Sequence, residues 1–153
     1  MPNWWLAGGA IRNTVWKSLY PEDCRLIIKD FDVAFFDMAG GREQEKAARE
    51  ELALRFPNYT FDVKNQASFA RWRHGTKMYM SVEDGLSHWL HTATSVGIRC
   101  SEAGVPEIIA PYGLSDLMNG IVRPTPEHRG SGVAHKKAQG YLAACPSLTY
   151  FSS

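Results

Sequence analysis

Asp30 and Asp32 stand two residues apart in "DFDVAFFD", Asp30 to Asp37, a stretch whose apolar residues first alternate and then run together, as in a strand with one exposed end. Strand alternation sends both carboxylates to the same side. Neighbouring anions repel, and a divalent cation with hard oxygen preference, Mg²⁺ or Mn²⁺, removes the conflict while leaving room for substrate phosphates. Asp62 lies in "YTFDVKN", another alternating stretch, and supplies a third carboxylate. Three such groups on neighbouring strands make a two-metal clamp, with the ions about 3.5–4 Å apart. One ion lowers the pKa of an attacking hydroxyl; the other holds a triphosphate and its leaving group. Asp37 is a rival for the third position, but it is odd-spaced from Asp32 and close to the strand's end.

A lone Asp-x-Asp is more often a solvated strand edge, so the surrounding sequence has to decide. Upstream, "WWLA" runs into "GGAIRN", Gly8 to Asn13. Gly8 and Gly9 let the backbone come close to a phosphate, and the helix that follows offers unpaired N–H groups and the positive end of its dipole. Arg12, in the first turn, either reaches a phosphate or pairs on the surface. Lys64 either neutralises triphosphate charge beside Asp62 or is a solvated strand lysine. A glycine turn, a helix, an Asp-x-Asp strand and a further acidic strand come in the order that brings triphosphate and metal together.

The elements that must position these groups are legible from periodicity. "NWWLAGG" reads as a short buried strand, followed by a helix in which Ile11, Val15 and Leu19 are spaced four apart. "REQEKAAREELALRF" is a second helix, with Ala48, Leu52 and Phe56 on one stripe. Ser81 caps a helix through "VEDGLSHWLHTAT", "VGIRC" and "PEIIAP" form a hairpin, "SDLMNGIV" is a short helix, and Val133 to Ala144 is the last one. Trp4, Trp5, Trp16, Phe35 and Phe36 are expected in the core. The 153 residues suit one α+β domain spanning 1–153, with 44% hydrophobic and 22% charged residues and a net charge of +1. That balance argues against a polybasic nucleic-acid surface. Three scattered cysteines without a CxxC pair argue against a disulfide framework and fit a reducing, cytoplasmic setting. No signal peptide and no membrane-spanning run is evident.

"GGAIRN" followed by "DFDV" resembles the head domain of the DNA polymerase β-like nucleotidyltransferase superfamily. In CCA-adding enzymes and bacterial poly(A) polymerases, Gly-Gly-x-Val-Arg-Asp precedes Asp-x-Asp. More closely, "WWLAGGAIRNTVW", "DFDVAFFD", "DVKNQA", "SVEDGLSHWLHTATSVGIR" and "APYGLSDLMNGIVRPTP" resemble a family of small bacterial nucleotidyltransferase-like proteins over nearly the whole chain. The resemblance implies a mixed β-sheet with helices packed on one side. It also implies metal ligation by Asp30 and Asp32, with Asp62 as third carboxylate, and nucleotide contacts at Gly8, Gly9, Arg12, Asn13 and Lys64. The expected substrates are an NTP and an acceptor hydroxyl on a small molecule, a protein or an RNA end.

Three departures bear on that expectation. Asn13 stands where the CCA-adding pattern has Asp. Glu83-Asp84 resembles the start of a nucleotide-selecting Glu-Asp-x-x-Arg motif, but Ser87 occupies the Arg position. A helix is expected before Trp4 and is absent from this sequence, so exposed Trp4 and Trp5 would favour association. A non-catalytic nucleotide- or partner-binding module that kept the fold is therefore the competing expectation. His88 and His91 are three apart on the expected helix, without a third metal ligand at a recognisable spacing. Trp72 and Tyr79 are candidates for stacking on a base, and Arg123 for a cation at a helix C-terminus.

Overall fold

The computed structural model describes residues 3–68 and 78–152, and Trp72 lies outside them. Among the described residues the chain runs β1 (Trp5–Ala7), α1 (Gly9–Leu19), β2 (Phe31–Phe35), α2 (Arg42–Arg55), β3 (Phe61–Asn65) and α3 (Val82–Ser87). It continues through β4 (Gly97–Cys100), β5 (Pro106–Ile109), α4 (Ser115–Met118), β6 (Ile121–Val122), α5 (Gly132–Ala144) and β7 (Thr149–Tyr150). Five strands form a mixed sheet in the order β3-β2-β1-β4-β5, and β6 pairs with β7 in a small parallel pair. β1 is antiparallel to both β2 and β4, whereas β2 and β3 are parallel, joined by the α2 crossover.

The mixed α+β architecture is as expected, but helices pack on both faces of the sheet, where cover on one side was expected. The reason lies in β2, where Val33, Ala34 and Phe35 are all buried, so both faces need cover. Val33, Phe35 and Val63 pack under α2 against Ala48 and Leu52. Trp5, Ala7 and Ala34 pack on the opposite face against Val82 and Leu86 of α3. A third cluster lies among the helices: Trp16 of α1, Leu117 of α4, and Ala138 and Tyr141 of α5. There the Trp16 indole N–H donates to the Leu117 carbonyl at 3.0 Å, so a fully buried ring leaves no polar atom unpaired.

One helix and one tryptophan differ from expectation. The helix expected over 82–94 stops at Ser87, and a short 3₁₀ turn occupies Thr92–Thr94. Between them His91 leaves the helical path to bridge Pro124, and the Leu90 carbonyl accepts from the Thr125 N–H at 3.0 Å. Tertiary pairing with the segment before α5 therefore wins over local helix propensity. Trp5 is buried as expected, but Trp4 is 43% exposed.

Asn65, at the end of β3, is completely buried and fastens the turn that follows β2. Its Nδ2 donates to the Asp37 carbonyl at 2.7 Å, and its Oδ1 accepts from the Asp37 and Ala67 N–H groups at 3.0 and 3.1 Å. Replacing it with Ala leaves the Asp37 and Ala67 N–H groups without this acceptor, and the Asp37 carbonyl with only the Gly40 N–H at 3.2 Å. Asn65→Ala is expected to lower the unfolding free energy by about 2–3 kcal/mol, read by denaturant unfolding with an unchanged slope.

Candidate active site

Asp32 is where the site begins. It pairs across the sheet with Ala7 on one side and Asp62 on the other, so the two carboxylates are immediate neighbours on one face. Asp30 lies just ahead of β2 and is exposed, in the approach to the same edge. Strand register brings Asp32 and Asp62 together, while the glycine turn at the end of β1 lies directly beside Asp32.

That turn is tightly specified. Gly8 has φ of 69°, and its N–H donates to the Val96 carbonyl at 3.1 Å. A Cβ there would stand 2.6 Å from a ring carbon of Trp89 and 3.1 Å from Asp32 Oδ2. Gly8 is therefore required both by its left-handed backbone and by the side chains crowding it. Gly9 is different: a Cβ would meet only Arg12 Nη2, at an ordinary 3.5 Å. The Gly9 N–H, the first of α1, is close enough to the Asp32 carboxylate to favour its charge, and the carboxylate thus sits at the helix's positive end.

These contacts do not make Asp32 an easy anion. Burial pushes its carboxyl up to about 6, and the negative charges of Asp30 and Asp62 push the same way. The Gly9 N–H and the Lys137 ammonium pull it down without cancelling the rise. Asp62 is half-exposed, with Lys64 Nζ 3.2 Å and Arg49 3.9 Å from its Oδ1. Asp37 is occupied otherwise: its carboxylate accepts from the Ala39 N–H and the Gln44 amide, each at 2.9 Å, and these bonds hold its pKa below the ordinary value.

Beside Asp30 and Asp32 a cleft of about 760 Å³ opens, lined further by Gly9, Arg12, Trp89, His91, Lys137 and Tyr141. Arg12 is buried, not a surface residue. It donates from Nε and Nη2 to Asn13 Oδ1 at 3.0 and 2.9 Å, and from Nη1 to Thr94 Oγ1 and Tyr141 Oη, each at 2.9 Å. Four of its five N–H donors are used, which leaves one on Nη2, the atom facing Gly9. Its guanidinium also lies 4.0 Å from the Tyr141 ring centre. Burial depresses its pKa, opposed by Tyr141 and by the charge of Asp32. Asn13 lines the cleft and donates from Nδ2 to the Ile27 carbonyl at 2.9 Å, so it holds Arg12 and the 25–29 segment in place together.

The cleft thus gathers Gly9, Arg12, Asn13, Asp30 and Asp32, while Gly8, Asp62 and Lys64 do not line it. His88 and His91 do not share a helix face. His88 stacks on Tyr79 and pairs with Glu127, whereas His91 is 1% exposed with Nε2 on the Ala134 carbonyl at 3.0 Å. Arg123 is engaged with Asp116, its Nε 3.0 Å from Oδ2. Among the described residues, no group of three His, Cys, Asp or Glu side chains is gathered closely enough to hold a metal ion. Sequence reasoning missed Trp89, Lys137 and Tyr141, and weighed His91 only as a metal ligand paired with His88. The one available signal was the stripe Lys137, Gly140, Tyr141 and Ala144, at helical spacing on the last helix.

The raised Asp32 carboxyl gives a signed expectation. A carboxyl with a folded pKa above its unfolded value stabilises the protein least where it is ionised, so this contribution is lost as pH rises from about 4 through 6. Asp32→Asn removes that loss. In metal-free buffer the variant should match the wild type near pH 4 and exceed its stability by up to about 3 kcal/mol at pH 7–8. Chemical denaturation across that range checks it. Gly8→Ala should do the reverse, losing about 2 kcal/mol or more from the left-handed backbone and the Trp89 contact, with Gly9→Ala far milder.

Comparison with known proteins follows the same lines. A chain whose NMR structure is described as revealing a CCA-adding enzyme head domain is 30% identical, with a TM-score of 0.77 over 100% of this chain and 83% of that one. The CCA-adding enzyme of Bacillus stearothermophilus in complex with CTP shares 16% identity and a TM-score of 0.53, over 91% of this chain and 34% of its own. A further CCA-adding enzyme with CTP shares 15% identity and a TM-score of 0.50, over 80% and 29%. These two share the fold, and the chain spans about a third of their length. No curated protein matches, and no helix among the described residues is long and apolar enough to cross a membrane. A family model described as Nucleotidyltransferase matches residues 1–150. The chain belongs to that nucleotidyltransferase family and carries the fold of a CCA-adding enzyme head domain.

Proposed function

We propose that the protein transfers a nucleoside monophosphate from an NTP to an acceptor hydroxyl, with pyrophosphate as the leaving group and a divalent metal required. One observation carries this reading: Asp32 is paired in register with Asp62 and stands beside the N-terminus of α1, lining the cleft. Three carboxylates with hard oxygen donors suit Mg²⁺ or Mn²⁺, and the unfavourable ionisation of Asp32 is what a bound cation would relieve. Asp30 and Asp32 would hold the ion directly; Asp62 would join them on release from Lys64. When bound, the metal supplies charge neutralisation of the triphosphate and a more acidic acceptor hydroxyl.

The chain's own residues do the rest. Gly9, where a Cβ would touch only Arg12 Nη2 at 3.5 Å, lets the phosphates approach the backbone of α1. Arg12 offers its remaining Nη2 hydrogen toward the same place, and Asn13 keeps the guanidinium in that plane. In the transfer, the acceptor oxygen forms a bond to the α-phosphorus. The bond from that phosphorus to the oxygen bridging the β-phosphate breaks, and pyrophosphate leaves with the electron pair. The hydroxyl proton passes to Asp62, the half-exposed carboxylate outside the nucleotide cleft and so on the acceptor's side. CTP in the two CCA-adding enzymes of the same fold supports an NTP as the donor here.

Incubation with each labelled NTP, Mg²⁺ and a panel of acceptors should release pyrophosphate. Asp32→Asn is expected to reduce that release by at least about a hundredfold, through loss of a metal ligand that neutral Asn replaces poorly. A thermal shift that requires both Mg²⁺ and NTP, without turnover on any acceptor, would instead identify the non-catalytic nucleotide-binding module.

A further inference from the structure

The cleft has a second wall with a character of its own. Arg25, Lys29 and Lys137 line it, contributed by the segment between α1 and β2 and by α5. The two parts are joined: the Arg25 N–H donates to the Ala144 carbonyl at 2.7 Å, and Ser147 is tied to Asp23 Oδ2 by two hydrogen bonds, of 2.8 Å from its N–H and 2.6 Å from its hydroxyl. Among the described residues none of the three cations forms an ion pair. Lys64, by contrast, is 3.2 Å from the Asp62 carboxylate and does not line the cleft.

We infer that Lys137, supported by Arg25 and Lys29, binds the polyphosphate chain of the substrate, and that α5 therefore forms the anion-binding wall of the active site. This rests on the nucleotidyl-transfer reading above. Lys137 lines the same cleft as Asp32 and His91, close enough for its charge to be felt at both. His91 cannot share the task. Its ring is held neutral by burial, and its buried Nδ1, the nitrogen not facing Ala134, has no partner and can only accept. Arg12 is largely spent on Asn13, Thr94 and Tyr141, with one hydrogen left. A triphosphate carries more negative charge than that hydrogen can meet, and cations without counterions around a cleft concentrate such a ligand.

Calorimetric titration of the full chain with inorganic pyrophosphate, and separately with a non-hydrolysable NTP analogue, each in Mg²⁺, tests the assignment. Lys137→Ala is expected to weaken both by about tenfold or more, and Lys137→Arg to restore most of the loss. Lys136→Ala, the same charge change one residue away and outside the cleft lining, should leave binding unchanged. Lys137 is exposed, so the melting temperature of its variants should match the wild type and separate lost contact from lost fold. Wild-type binding that Lys137→Ala leaves intact, or that falls with Lys64→Ala alone, overturns this inference while the transfer reading stands. A wild type that binds neither pyrophosphate nor the analogue overturns both.

Discussion

The placement of the Asp32 carboxylate against the Gly8-Gly9 turn is the constraint around which the rest is arranged. It ties the last residues of β1, the first turn of α1 and the start of β2 into one unit. Gly8 must take a left-handed backbone for α1 to begin at that place, and the missing side chain is what admits Trp89 and the Asp32 carboxylate together. A helix N-terminus next to a partly buried carboxylate is favourable, yet here it does not offset the burial and the two neighbouring anions. The site is therefore held in an arrangement the fold alone would not choose. Structures keep such local costs where function needs them, and the surrounding sheet supplies the rigidity.

That rigidity comes from ordinary sources. β2 is sandwiched between α2 on one face and α3 with Trp5 on the other, and its central residues are buried. Neither carboxylate can slide without moving a strand packed on both sides, because register is set by the apolar residues of β2 and β3. The Asn65 cluster adds a second fastening at the far end of the same two strands.

Much of this was legible in the sequence. The glycine turn, the helix after it, the Asp-x-Asp strand and the acidic residue of β3 all follow from local patterns whose meaning survives folding. Asp62 was reached by alternation together with the family resemblance, and register in the parallel pair places it beside Asp32. Other features depended on distant partners. Arg12 read equally well as a surface cation, because nothing near it in sequence announces Tyr141, 129 residues away. The helix expected through 94 ends early because His91 and Leu90 pair with the segment before α5, another long-range effect. Lys137 carried no local signal of chemistry; a lysine on a helix is normally a solvated one.

The geometry divides the site's labour between two structural units. The carboxylates belong to the sheet, with its cores under α2 and α3, whereas the cations of the far wall belong to the helical cluster built on Trp16, Leu117 and Tyr141. α1 is the element common to both. Its first residue stands beside Asp32, and Trp16, two turns on, is fully buried in the helical cluster against Tyr141, with ring centres 5.9 Å apart. The width of the cleft is thus set by how α1 packs against α5, and Arg12 spans the same gap through Thr94 and Tyr141. A residue that fills such a gap with four fixed hydrogen bonds acts as a spacer first and a ligand second. Its buried charge, felt by Asp32 on one side and by His91 on the other, links the acidic edge to the inner end of the cleft. Opposite charges on separate rigid units, held apart by a helix and a guanidinium, leave a space that a ligand bearing both metal-binding and anionic groups would fill.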